Sequence, residues 1–224
     1  MLFNVDGFHN YDISEYSKYW LWKPIDLIKY MVVSWRMSGS EFSKEVIGEN
    51  FQQCQYYKNW GKSHTQLPNE ILGKLKYNGV KIFFIICDPR DAVTHIINHD
   101  GDIHYHPDDF SEYANKYINE LVFLDENIQI IIDLLKYFQT NFGNNLIVLR
   151  YEDAINNRKK FLKQVGSFLN TEPFYVDDDE KYHSPICKKI SVYPQKFNNE
   201  YILNVYKSKK YEEKLNFLKK WGYV

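Results

Sequence analysis

Cysteine is scarce in this 224-residue chain, with Cys54, Cys87 and Cys187 widely spaced and no C-x-x-C pair. That count and spacing exclude a disulfide framework and a cysteine-based zinc site, and fit a reducing compartment. Charge of one sign is also lacking. Lys and Arg total 28 against 29 Asp and Glu, a formal net charge of −1, so no general pull toward nucleic acid is expected. No apolar run approaches the ~20 residues of a membrane span. The longest, from Ile128 to Leu135, is interrupted by Gln129 and Asp133. The first residues lack the basic segment and apolar core of a signal peptide. A cytoplasmic chain without membrane contact is the expectation. No repeat and no Gly/Ser-rich linker divides it, so residues 1–224 are read as one domain.

Apolar and aromatic residues are plentiful, at 44% and 17%, enough for a substantial core. Tyr30 to Trp35 reads as a strand, followed by helical spacing from Phe42 to Phe51. A polar segment then leads to Lys62-Ser63-His64, and Leu67-Pro68-Asn69-Glu70 opens a helix bearing Ile71, Leu72 and Leu75. Val80 to Ile86 is a nearly unbroken apolar run, as in strands buried on both faces of a parallel sheet. Asp88-Pro89 suits an N-cap and first helical turn. Phe110 to Phe142 reads as helix, with a break near Asp125. Leu146 to Leu149 is a strand, Asn157 to Leu169 an amphipathic helix, and Glu200 to Trp221 a final helix. Asp177 to Lys181 is read as a solvated loop and Lys207 to Lys214 as a solvated helix face. Alternating strands and helices predict parallel βαβ units, with ligands at the carboxyl ends of the strands.

The stretch Trp35-Arg36-Met37-Ser38-Gly39-Ser40-Glu41 joins the first strand to its helix. A Ser/Gly turn there directs amide N–H groups and the helix dipole at one point, a cradle for an oxyanion. Lys62-Ser63-His64, Cys87-Asp88-Pro89-Arg90-Asp91 and Leu149-Arg150-Tyr151-Glu152-Asp153 follow in order. With Phe168-Leu169 and Trp221-Gly222-Tyr223, this series resembles the sulfotransferase family, from about residue 28 onward.

The resemblance implies an α/β fold, a P-loop-like parallel sheet flanked by helices in a three-layer α/β/α arrangement. It implies transfer of a sulfuryl group from 3′-phosphoadenosine 5′-phosphosulfate to a hydroxyl or amine of a small-molecule or glycan acceptor, with no metal. His64 takes the place of the catalytic base and Lys62 that of a cation over the transferring group. Arg36, Ser38, Gly39 and Ser40 would hold the 5′ end of the donor, Arg90 and His95 lie in the segment that binds the 3′-phosphate, and Lys188 or Lys189 would serve the family's late cofactor-binding loop. Met37, Glu41, Cys87 and His95 depart from the family pattern, replacing lysine, threonine, arginine and serine. Met37 and Cys87 stand where cations are expected and Glu41 adds like charge close to an anion, which raises the alternative of a sulfotransferase-fold binding protein without transfer activity.

Three further readings come from the residues. His95, His99, His104 and His106 with neighbouring aspartates form a metal-competent composition, read mainly as a polar loop, which the family resemblance implies lies near the acceptor. Tyr56, Tyr57, Trp60 and Tyr105 are candidates for an acceptor pocket, against the plainer reading of core aromatics. Glu152 and Asp153 are read as structural rather than as an acid/base pair.

Overall fold

The computed structural model describes residues 25–35, 39–55, 59–93, 120–174 and 197–224. In chain order the elements are β1 (Tyr30–Ser34), α1 (Ser40–Asn50), β2 (Trp60–Ser63), α2 (Asn69–Tyr77), β3 (Lys81–Ile86), α3 (Glu120–Phe142), β4 (Leu146–Arg150), α4 (Tyr151–Asn156), α5 (Arg158–Leu169), α6 (Asn199–Val205) and α7 (Glu212–Lys220). A helical turn at 89–93 follows β3. By contact density the chain separates into two units, one from residues 1–87 and 134–188, the other from 88–133 and 189–224.

The first unit carries the sheet. Its four strands are all parallel in the order β2-β1-β3-β4. The expected α/β class with a parallel sheet flanked by helices is therefore present. Tyr30, Val32, Trp60, Phe83, Ile85 and Leu149 point to one face, where Phe42, Val46 and Ile47 of α1 and Phe161, Leu162 and Val165 of α5 cover them. The period-two alternation turns the intervening residues to the other face. There Phe84 meets Phe138 of α3 ring to ring at 6.2 Å. Helices thus cover both faces, and β1 and β3 are apolar at nearly every position because neither face meets water.

β2 is the main element that periodicity did not reveal. Trp-Gly-Lys-Ser has one apolar residue and no alternation, so it reads as a polar link. It becomes a strand because β1 offers it an edge, pairing Tyr30 with Trp60 through to Val33 with Ser63. Trp60 belongs to the core rather than to an acceptor pocket. Its ring lies 5.4 Å from those of Tyr30 and Phe83, and its Nε1–H donates to the Cys54 carbonyl at 2.8 Å. Tyr56, Tyr57 and Tyr105 lie outside the described residues.

Several local signals act as their chemistry requires. Asn157 caps α5 by accepting from Lys160 N–H at 3.2 Å. Asn78-Gly79 turns the chain into β3, with Gly79 at φ 64°. Asp88 caps the turn at 89–93, its Oδ1 accepting from Arg90 N–H at 3.0 Å. Two boundaries differ from expectation. α3 runs unbroken through Asp125, whose side chain pairs with Lys214 of α7 at 2.6 Å instead of breaking the helix. The terminal helix is two helices, α6 and α7. Between them Tyr206 turns into the core against Tyr211, at 5.0 Å, and Ser208 adopts extended backbone. The aspartates and lysines at 177–181 are outside the described residues. Among the described residues no helix is long and apolar enough to cross a membrane.

Candidate functional site

Strand order 2-1-3-4 sends the chain from β1 to one side and from β3 to the other. Parallel sheets bind ligands where the connections diverge in this way, beyond the carboxyl ends of the strands. β1 ends at Ser34, β2 at Ser63, and α1 begins at Ser40, so Ser34, His64, Gly39 and the first turn of α1 share this edge of the first unit.

Gly39 sets the entry to α1. It stands at φ 69°, ψ 26°, in the left-handed region where a side chain is strained. The Tyr151 ring fills the space where a Cβ would lie, and the same ring meets Phe42 edge-on at 5.9 Å. Gly39 is therefore required twice, by its backbone and by the ring above it. Gly39→Ala is expected to lower stability by about 1–3 kcal/mol from backbone strain alone, with steric overlap in addition. In chemical denaturation, adding Tyr151→Ala should recover the steric part; strict additivity of the two changes would contradict this packing.

His64 is buried at the end of β2. Its Nδ1 lies 2.8 Å from the backbone carbonyl of Ser34 and 3.3 Å from the Ser34 hydroxyl. A carbonyl can only accept, so Nδ1 carries a proton, and in the neutral form of the ring Nε2 is the basic nitrogen. The last residue of β1 thereby fixes the tautomer of the histidine expected to act as base.

Lys62 projects from β2 on the α1 side of the sheet, in register with Val32. Its ammonium meets Glu41 Oε1 at 2.8 Å, while Lys44 Nζ meets Oε2 of the same carboxylate at 2.6 Å. The lysine side chains are 12% and 5% exposed and that of Glu41 47%, so Glu41 is the outermost of the three. Burial works against ionisation of Glu41, yet the charge of Lys62 and hydrogen bonds from both lysines outweigh it. Its carboxyl is held below the ordinary range. The negative charge that Glu41 brings to the start of α1, where the family has threonine, is thus met by two lysines. Two cations answer one anion, leaving a net charge of +1 across the trio. Lys44 was missed in the sequence; the i, i+3 spacing of Glu41 and Lys44 at a helix start was the available signal.

Arg90 sits in the second unit. Nε donates to both Asp88 carboxylate oxygens at 2.9 and 3.1 Å, and Nη1 donates to the Phe197 carbonyl at 3.0 Å and Asn199 Oδ1 at 2.8 Å. Nη2 donates to Asp88 Oδ2 and the Tyr223 carbonyl. A guanidinium has five N–H donors, and every one is accounted for. A 3′-phosphate at Arg90 would displace one of these bonds. Arg36, Ser38, His95, Lys188 and Lys189 lie outside the described residues, as do Met37 and the histidines at 99, 104 and 106.

Remaining candidates have structural partners. Glu152 faces Arg150 Nε at 3.4 Å and Asp153 accepts from Lys160 at 3.0 Å, in keeping with a structural role. Burial pushes the Cys54 thiol up to about 12, which leaves it protonated and unreactive at neutral pH. No group of three or more His, Cys, Asp or Glu side chains able to hold a metal occurs among the described residues.

No protein-family model matches this chain, and no curated protein does. Among solved structures it is similar to mouse sulfotransferase SULT7A1 complexed with PAP, at 17% identity and a TM-score of 0.46. That likeness covers 65% of this chain and 59% of the mouse chain. At this degree it carries no activity across, and the functional reading stands on the residues.

Proposed function

We propose that the chain is a sulfotransferase that moves a sulfuryl group from 3′-phosphoadenosine 5′-phosphosulfate to a hydroxyl or amine acceptor, small molecule or glycan. The observation that carries the proposal is the Nδ1–H bond from His64 to Ser34, two residues from the partly buried cation Lys62 and at the same sheet edge as the glycine-started helix α1. The donor supplies an activated sulfuryl group. The chain's own part is to receive the acceptor proton at His64 Nε2 and to set positive charge near the bridging oxygen through Lys62. The α1 amides and Gly39 fit the sulfated end of such a donor, because the first turn of a helix presents N–H groups without intrahelical partners.

A second reading keeps the fold and drops the transfer. It is favoured by the engagement of Lys62 with Glu41 and of Arg90 with the chain itself. Calorimetry with adenosine 3′,5′-bisphosphate separates the two. Micromolar binding is expected for the enzyme; absence of heat at millimolar nucleotide would leave the scaffold reading alone.

A further inference from the structure

The trio at the start of α1 has an arrangement that ion pairing at a surface does not explain. The Lys44 side chain is buried and that of Lys62 largely so, and both ammonium groups reach for the carboxylate of Glu41, whose side chain is half-exposed. Buried ammonium groups need an anion, because desolvation without one costs several kcal/mol. The lysines are held by the core: Lys62 by its strand register against Val32, and Lys44 by a helix whose Phe42, Val46 and Ile47 pack on the sheet. Glu41 is the member on the solvent side, and water can solvate it if it leaves.

We infer that Lys44 and Lys62 form a tetrahedral-oxyanion site, for a sulfate or sulfuryl group, and that Glu41 is its resident occupant, exchanged when the ligand arrives. A sulfate presents two oxygens at a spacing close to that of a carboxylate, so it can take up both lysine contacts in Glu41's place. It also meets the positive end of α1, since Glu41 lies in that helix's first turn. Displacement of Glu41 frees both lysine contacts for the incoming anion. The inference deepens the proposed function and rests on it for the choice of sulfate as the anion. Lys44 is the residue it adds to the machinery.

The test uses inorganic sulfate, with chloride at matched ionic strength as the control. Glu41→Gln is expected to bind sulfate about tenfold or more tighter than the parent chain, and adding Lys44→Met or Lys62→Met should each abolish the gain. An unchanged affinity in Glu41→Gln, or a gain that survives loss of both lysines, overturns the inference. Should the Glu41→Gln chain not fold, the parent chain answers instead. Sulfate titration followed by nitrogen-15 NMR of the lysine ammonium groups should move the Lys44 and Lys62 signals together, and stationary signals overturn the inference. Sulfate binding here together with no binding of adenosine 3′,5′-bisphosphate supports the oxyanion site and counts against the nucleotide reading alone.

Discussion

Arg90→Met is expected to destabilise the chain by about 3–5 kcal/mol, the usual cost of removing one partner from a buried ion pair. Asp88 is buried and would lose its counter-charge. The carbonyls of Phe197 and Tyr223 and the Asn199 side chain would lose donors in the same step. Methionine keeps much of the volume, so the loss reports on bonding more than on packing. Asp88→Asn keeps an oxygen able to cap the helical turn and removes the stranded charge. Asp88→Asn/Arg90→Met should therefore be more stable than Arg90→Met alone. Urea denaturation of the three variants measures both differences. A single variant within about 0.5 kcal/mol of the parent, the range of ordinary surface changes, would show that the guanidinium does not fasten this unit. Nucleotide calorimetry on the same variants asks the other question. A phosphate-binding Arg90 would lower nucleotide affinity beyond what the loss of stability explains.

His64→Ala is expected to lower sulfuryl transfer by about 100- to 10,000-fold, the range for a general base. The readout is transfer of a radiolabelled sulfuryl group from the donor to a panel of hydroxyl acceptors. Affinity for adenosine 3′,5′-bisphosphate should change little, since a base acts on the acceptor proton. Stability should fall by about 1–3 kcal/mol, because the buried Ser34 carbonyl loses this donor. The acid limb of the pH–rate profile should vanish with the imidazole, because only the neutral ring accepts a proton at Nε2. Turnover that survives the substitution with its acid limb intact would assign the base elsewhere. Because the Nδ1 proton is held by a backbone carbonyl, Ser34→Ala should retain most of the activity; the hydroxyl, at 3.3 Å, is the weaker of the two contacts.

Much of the framework was legible because its signals are local. β1, β3 and β4 announce themselves as apolar runs. Asp88 and Asn157 are cap residues acting within three positions of themselves. Gly39 marks a backbone turn that other residues resist. β2 was not legible, since a strand of Trp-Gly-Lys-Ser has no periodicity and forms only when the edge of β1 is present to receive it. The division of the last helix at Tyr206 likewise depends on a ring finding its place in the core.

The site divides along the same line. The resemblance of the ordered motifs to the sulfotransferase family nominated His64, Lys62, Gly39 and Arg90. Tertiary structure alone decided what surrounds them. The register of β2 on β1 brings Lys62 to Glu41 and His64 to Ser34, across about thirty residues of chain in the second case. Arg90 meets Tyr223 across more than a hundred. Charge and hydrogen-bond capacity belong to the residue types and were there to be read. Partners separated by that much chain are chosen by packing, and no local pattern encodes them.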